Sequence, residues 1–349
     1  MRILIVGGTA FTGPHVVLGL TQMGHEVVVF HRGRTESALS GHVQHIHGEQ
    51  QQLQSFASQF RRFRPDVVLH MVLANAQDAW TFRRTFEGLA RRAVAISSQD
   101  VYRAYNRCRR LEPGPPEPLP LTETAPLREK LYPYRGETLP GAEDPERRRR
   151  IDDYDKILVE QVVMGSRELP GTILRLPAVY GPHDSQHRWF EYLKRMDDGR
   201  PAILMDEGAA QWRWTRGYVE NVAHAIALAV LDERAQGKTY NVGEPDALSE
   251  AEWIGLIGQV VGWPGQVVAV PGIELPAHLR RDYEWAQHWV ADTRRLREEL
   301  GYSELVPREE ALQRTIAWER ANPPAEVEPS RFDYVAEDAT LARLGWHFS

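Results

Sequence analysis

Apolar residues along this chain come in short dense runs. Arg2–Val6 (RILIV), Glu26–Phe30 (EVVVF), Asp66–Val72 (DVVLHMV), Ala93–Ser97 (AVAIS) and Gly171–Leu176 (GTILRL) are apolar almost throughout. Such runs mark strands buried on both faces, as in a parallel sheet covered by helices. Between them lie helix-length segments near residues 13–23, 50–62, 78–91 and 152–168. The alternation predicts an α/β fold, a Rossmann-type doubly wound parallel sheet. Further strands are expected at Gly217–Val219 and Thr239–Val242, on either side of a helical segment, Asn221–Glu233. The division expected is a sheet domain over residues 1–180 and a smaller C-terminal domain over 181–349, with about 217–243 returning to the sheet.

One interval breaks the rhythm. From Tyr102 to Ile151 the chain is rich in proline and charge, including Glu112–Leu121 (EPGPPEPLPL) and Arg147–Arg150 (RRRR). An insert this long in a compact domain is usually a lid, a binding loop or a disordered segment. The arginine run is either a phosphate grip or a solvated charged face, and the second reading is the ordinary one.

Composition narrows the picture only a little. The 349 residues carry a net charge of −6, which gives no global attraction to nucleic acid or to an anionic membrane. One cysteine, Cys108, excludes an internal disulfide and favours a reducing compartment. No run is long and apolar enough for a membrane span, so a cytoplasmic location is expected.

The first strand leads into Val6–Val17 (VGGTAFTGPHVV). Glycine at the strand end permits a tight turn, and glycine at the helix start allows close packing. The amides of Thr9, Ala10 and Phe11, between Gly7 and Gly13, are then placed to receive a pyrophosphate at a helix N-terminus. Residues 1–180 thus read as a dinucleotide-binding domain and 181–349 as a substrate-binding one. At the tip of the second strand a carboxylate would hold a ribose 2′-hydroxyl, whereas arginine suits a 2′-phosphate. The sequence supplies Arg32 and Arg34 and no acid, which favours NADP(H) over NAD(H).

With these residues in hand, the chain resembles the extended short-chain dehydrogenase/reductase superfamily, and within it the NAD-dependent epimerase/dehydratase family. GGTAFTG stands where that family has its glycine turn, with Ala10 at the middle glycine. Ile96–Tyr102 (ISSQDVY) is similar to the strand that carries a catalytic serine or threonine, here Ser98. Arg175–Pro182 (RLPAVYGP) and Thr215–Ala225 (TRGYVENVAHA) resemble two later signatures, the second with an arginine, Arg216, that binds substrate phosphate. The resemblance implies an oxidoreductase, epimerase or dehydratase acting on a sugar-like or nucleotide-linked substrate, and a possible homodimer.

The family's proton relay is a Tyr-x-x-x-Lys pair one helical turn apart. Lys156 fits the lysine, with the further role of holding the cofactor's ribose, but the tyrosine position is Asp152. An aspartate is ionised at neutral pH and is a poor proton donor. It is expected to be either an i,i+4 ion-pair partner of Lys156 or a catalytic aspartate in an altered relay with Ser98. Tyr154 lies about 200° around an ideal helix from Lys156 and can replace the missing phenol only if the helix is distorted. Another phenol could come from the insert, in Tyr132–Gly136 (YPYRG), or from Tyr102 or Tyr180.

On the substrate side, Trp214, Arg216 and Tyr180 are the expected wall residues, with Arg213, His187 and Trp189 as additions. His42, His45 and His47 have no acidic or cysteine partner at ligand spacing, so no metal is expected. Two alternatives follow from the substitution at Asp152 and from the resemblance. One is a catalytically reduced NADP(H)-binding sensor; the other is an RNA-associated protein of the same fold, against which the net acidity argues.

Overall fold

The short apolar runs become strands at nearly the expected places. In chain order they are β1 (Arg2–Val6), β2 (Glu26–His31), β3 (Gln44–His47), β4 (Val67–His70), β5 (Arg92–Ser98), β6 (Gly171–Leu176), β7 (Ala178–Tyr180), β8 (Ala202–Asp206), β9 (Arg216–Tyr218), β10 (Thr239–Asn241) and β11 (Gln266–Val270). The computed structural model describes every residue except 36–38, 40, 42, 138–143 and 347–349. Seven strands form one sheet in the order β10-β6-β5-β4-β1-β2-β3, with every neighbouring pair parallel.

Alternation along β1 shows why both faces need cover. Ile3 and Ile5 pack into one apolar layer with Val16, Val17 and Leu20 of the Thr12–Gln22 helix and Ile226 of the Val219–Leu231 helix. Leu4 and Val6 enter the opposite layer with Phe60, Phe82, Phe86, Val159 and Val163. All four β1 side chains are at most 1% exposed, so neither face of the strand meets water. The strand order reverses direction at β1, between β2 and β4. A doubly wound sheet opens its ligand crevice at the carboxyl ends of the strands there.

Three local expectations change. Arg216–Tyr218 pairs with Ala178–Tyr180 in a separate two-stranded ribbon instead of entering the main sheet. The strands β8 and β11 form a second ribbon that the pattern analysis does not predict. Above all, the single helix expected over 152–168 is two helices, Pro145–Asp152 and Lys156–Met164. Asp155 is the reason. Its buried carboxylate accepts the Ile157 and Leu158 amides at 2.9 and 3.5 Å, which caps a new helix beginning at Lys156. The same side chain takes the Tyr132 amide at 2.6 Å and faces Arg128 at 3.4 Å. The insert is thereby fastened to the helix start.

Candidate active site

The glycine turn has the conformation its sequence requires. Gly7 and Gly8 have φ of +92° and +89°, a region side-chain-bearing residues rarely adopt. A Cβ on Gly13 would stand 2.4 Å from the Gly8 backbone, so the helix packs on the turn only because that atom is missing. Thr9 is buried and its hydroxyl meets that of Thr35 at 2.9 Å. Ala10 and Phe11 complete the turn, and Phe11 also has positive φ, at 49°. A cleft of about 540 Å3 is lined by Arg32, Arg34, Leu73, Tyr154 and Lys156 among others. The glycine turn and the buried lysine have the forms that a dinucleotide site needs.

Lys156 is the first residue of its helix and is buried. Its ammonium donates to the Leu73 carbonyl and, at 2.9 Å, to the Ile96 carbonyl. Burial lowers its pKa to about 8, against the pull of Asp100, Glu160 and Asp78. No i,i+4 pair with Asp152 forms, because the chain leaves the helix between the two residues. Asp152 instead accepts Arg148 and the Gly136 amide, both at 3.0 Å, and these contacts hold its carboxyl below the usual range. The ion-pair expectation fails, and the structure does not bring Asp152 to Ser98 and Lys156.

Tyr154 occupies the space instead. The break turns its ring inward until the Lys156 Nζ lies 5.8 Å from the ring centroid. The Tyr154 hydroxyl donates to Asp100 Oδ2 at 3.0 Å, and Tyr134 donates to the same oxygen at 3.0 Å. Burial, then the Asp100 charge, raises the Tyr154 phenol well above its ordinary pKa, while the Ser98 hydroxyl acts in the opposite sense by hydrogen bonding. Asp100 is itself pushed up by burial, opposed by Arg128 and the two phenols. One Asp100 oxygen, Oδ1, is buried with no hydrogen-bond partner among the described residues. Ser98, Asp100, Tyr134 and Tyr154 all line a second cavity of about 1120 Å3 that opens beyond the lysine.

That cavity separates the expected substrate residues. Trp214 lines it beside Trp212 and Trp289, whose rings lie 4.9–5.6 Å apart in tilted and edge-on pairs. Arg216 also reaches it, but only 4% of the side chain is exposed. The guanidinium is bonded to Glu250 at 2.5 Å and lies 4.2 Å from the Trp189 ring centroid. Its charge is therefore already balanced. Tyr180 is fully buried, donates to Glu244 at 2.8 Å and packs on Trp253, so it belongs to the core behind the cavity. Trp189 is core as well, and His187 pairs with Glu319 at 2.5 Å. Arg213 pairs with Glu252 at 3.1 Å. Tyr102 is held beneath the sheet end by Asn241 and Arg175 at 2.6 and 3.0 Å, and burial pushes its pKa up to about 12 against the opposing pull of both partners.

The His45 and His47 rings lie against His31 on the outer strands, and His42 is outside the described residues. Sequence reasoning missed Asp100 and Glu250, since an isolated acid carries no spacing signal. It placed Tyr154 on the far face. The signal that would have corrected this is Asp155 itself, an N-cap residue immediately before an apolar run.

The sheet order, the glycine turn and the buried lysine define a doubly wound dinucleotide-binding protein of the extended short-chain dehydrogenase/reductase type. Residues 3–243 match the model of the NAD dependent epimerase/dehydratase family, and the chain belongs to that family. It is 25% identical over 311 residues to 2′-dehydrokanamycin reductase of Streptomyces kanamyceticus, spanning 85% of this chain and 74% of that protein. Among solved structures it resembles UDP-glucose 4-epimerase of Thermotoga maritima with UDP-glucose, with a TM-score of 0.65, 19% identity and coverage of 92% and 99% of the two chains. It also resembles the Bordetella bronchiseptica enzyme WbmG in complex with NAD, with a TM-score of 0.66, 18% identity and coverage of 92% and 94%.

Proposed function

We propose that this chain is an NADP(H)-dependent reductase of a ketone on an unphosphorylated saccharide, with Tyr154 as proton donor. The observation that carries the reading is the meeting of Ser98, Tyr154 and Lys156 where the cofactor cleft and the large cavity join. When bound, the dinucleotide supplies the hydride. Ser98 hydrogen-bonds the substrate oxygen, and the Tyr154 hydroxyl turns from Asp100 to give that oxygen its proton as the carbonyl becomes an alcohol. Asp100, whose carboxyl is pushed toward protonation by burial, lies within hydrogen-bond reach to return a proton to Tyr154. The raised phenol pKa keeps Tyr154 protonated at neutral pH, the form a proton donor needs.

Arg32 and Arg34 support the phosphorylated cofactor: both line the cleft, Arg34 with Glu49 at 3.6 Å, just past the second strand where the adenosine ribose is expected. The saccharide reading rests on Arg216. Arg216 is the arginine that the resemblance assigns to substrate phosphate, and Glu250 already neutralises it inside a wall of indoles, while Arg147 and Arg281 line other parts of the cavity. Indole faces present flat apolar surfaces to the C–H faces of a sugar ring while leaving its hydroxyls free to hydrogen-bond. The reductase relative, by its name, acts on an aminoglycoside ketone, which is in keeping with such a pocket.

The test compares Tyr154→Phe with Asp152→Asn in NADPH oxidation driven by ketone derivatives of aminoglycosides, 2′-dehydrokanamycin among them. Tyr154→Phe should lower kcat by roughly 10²–10⁴-fold, the usual worth of a positioned proton donor, with NADPH affinity intact. Asp152→Asn should leave kcat within about threefold. The opposite ranking would sink the assignment.

A further inference from the structure

Of the arginine run, Arg148 is half-buried and Arg147, Arg149 and Arg150 are exposed. The helix Pro145–Asp152 begins under Asp144, which accepts the Glu146 and Arg147 amides at 2.7 and 3.1 Å. Its side chains divide by helical spacing. Arg148 and Asp152, four apart, bond each other at 3.0 Å and face the insert, where Asp152 also takes the Gly136 amide. Arg147, Arg150 and Ile151, at i, i+3 and i+4, line the cofactor cleft. Arg150 is near enough to depress Lys156 electrostatically. Among the described residues, no carboxylate stands within ion-pair distance of Arg147 or Arg150. Cleft-lining cations thus include Arg32, Arg34, Arg147, Arg150 and Lys156, against Asp144 and Glu146 as the acids.

Cations crowded on one cleft repel each other until an anion enters. The cleft that Arg147 and Arg150 border is the one lined by Arg32, Arg34 and Lys156. Resting on the cofactor reading above, we infer that Arg147 and Arg150 form a clamp over the cofactor's pyrophosphate. The amides of the Gly7–Gly13 turn hold the diphosphate from the sheet side, and the two guanidiniums close on it from the insert side. The insert is then a binding element, tied through Asp155 and Asp152 to the same stretch of chain that delivers Lys156.

The experiment measures dissociation constants of NADPH and NADH by cofactor fluorescence on the full chain. Wild type is compared with Arg147→Gln/Arg150→Gln, Arg32→Gln/Arg34→Gln and the control Arg149→Gln. Melting temperatures are recorded for each. The pyrophosphate is common to both cofactors, so the clamp variant should weaken NADPH and NADH alike, by about tenfold or more. Its affinity should also lose much of its dependence on salt. Arg149→Gln should change neither. Unchanged affinity in the clamp variant overturns the proposal, as does a loss confined to NADPH, which would assign these arginines to the 2′-phosphate. Binding of neither cofactor by wild type would defeat the cofactor reading itself, and is separable from failure of the clamp, in which wild type and variant bind equally.

Discussion

Tyr154 and Lys156 are two residues apart, yet the lysine's Nζ lies 5.8 Å from the centre of the tyrosine ring, in the same cleft. A continuous helix would set them on opposite sides. The reversal is local and has a cause: Asp155 caps a new helix, and the residue before a cap is free of helical geometry. A carboxylate at 152 and a phenol at 154 therefore exchange the positions that the linear motif suggests.

Restoring the family tyrosine should not restore anything. Asp152→Tyr removes a carboxylate that accepts Gly136 and Arg148, and puts a ring where the side chain faces the insert. Turnover should stay level or fall, and the melting temperature should not rise. A kcat several-fold above wild type would contradict the placement of Tyr154.

The lysine predicts a pH dependence. Its folded-state pKa is lowered from 10.5 to about 8. The ammonium that would hold the ribose is lost as pH rises through about 8, so NADPH affinity should fall there. Lys156→Arg, which stays charged, should flatten the profile even if it binds more weakly. The stability effect has the opposite sign. A lysine whose pKa is depressed by folding penalises the native state most below pH 8, and this penalty is relieved as pH rises toward 10.5. A dissociation constant constant from pH 6.5 to 9.5 would refute the assignment.

Glu250 is expected to exclude nucleotide phosphates. Wild type should show no tryptophan fluorescence change with UDP, whereas Glu250→Gln, which frees the Arg216 charge, should gain measurable UDP binding. Tight UDP binding by wild type would return the pocket to nucleotide-linked substrates.

Beneath the site, Glu160 takes Arg175 Nε and Nη2 at 3.0 and 2.7 Å and the Ser97 hydroxyl at 2.5 Å. The guanidinium is 5% exposed, so removing its partner strands a buried charge. Glu160→Ala should cost about 3–5 kcal/mol in denaturant unfolding. A loss under about 1 kcal/mol would show that Tyr102 and the Glu123 carbonyl satisfy Arg175 alone.

What the sequence alone carries is what local chemistry dictates. The runs at β1, β2, β4, β5 and β6 announce buried strands because every second residue must be apolar on each face. The Gly7–Gly13 turn is legible because positive φ and close packing each demand glycine. Lys156 and Ser98 stand out by their matched motifs. The insert could be bounded but not folded, since proline and charge give it no periodicity.

The linear sequence by itself determined the sheet, the dinucleotide turn and the identity of the buried lysine, since each depends on residues adjacent in the chain. Only the tertiary structure decided which acid and which phenol stand beside that lysine. Those choices depend on where Asp155 ends one helix and starts another, and on carboxylates such as Glu250 that meet Arg216 across 34 residues of chain. Electrostatic partners are set by proximity in space, and spacing along the chain does not carry it.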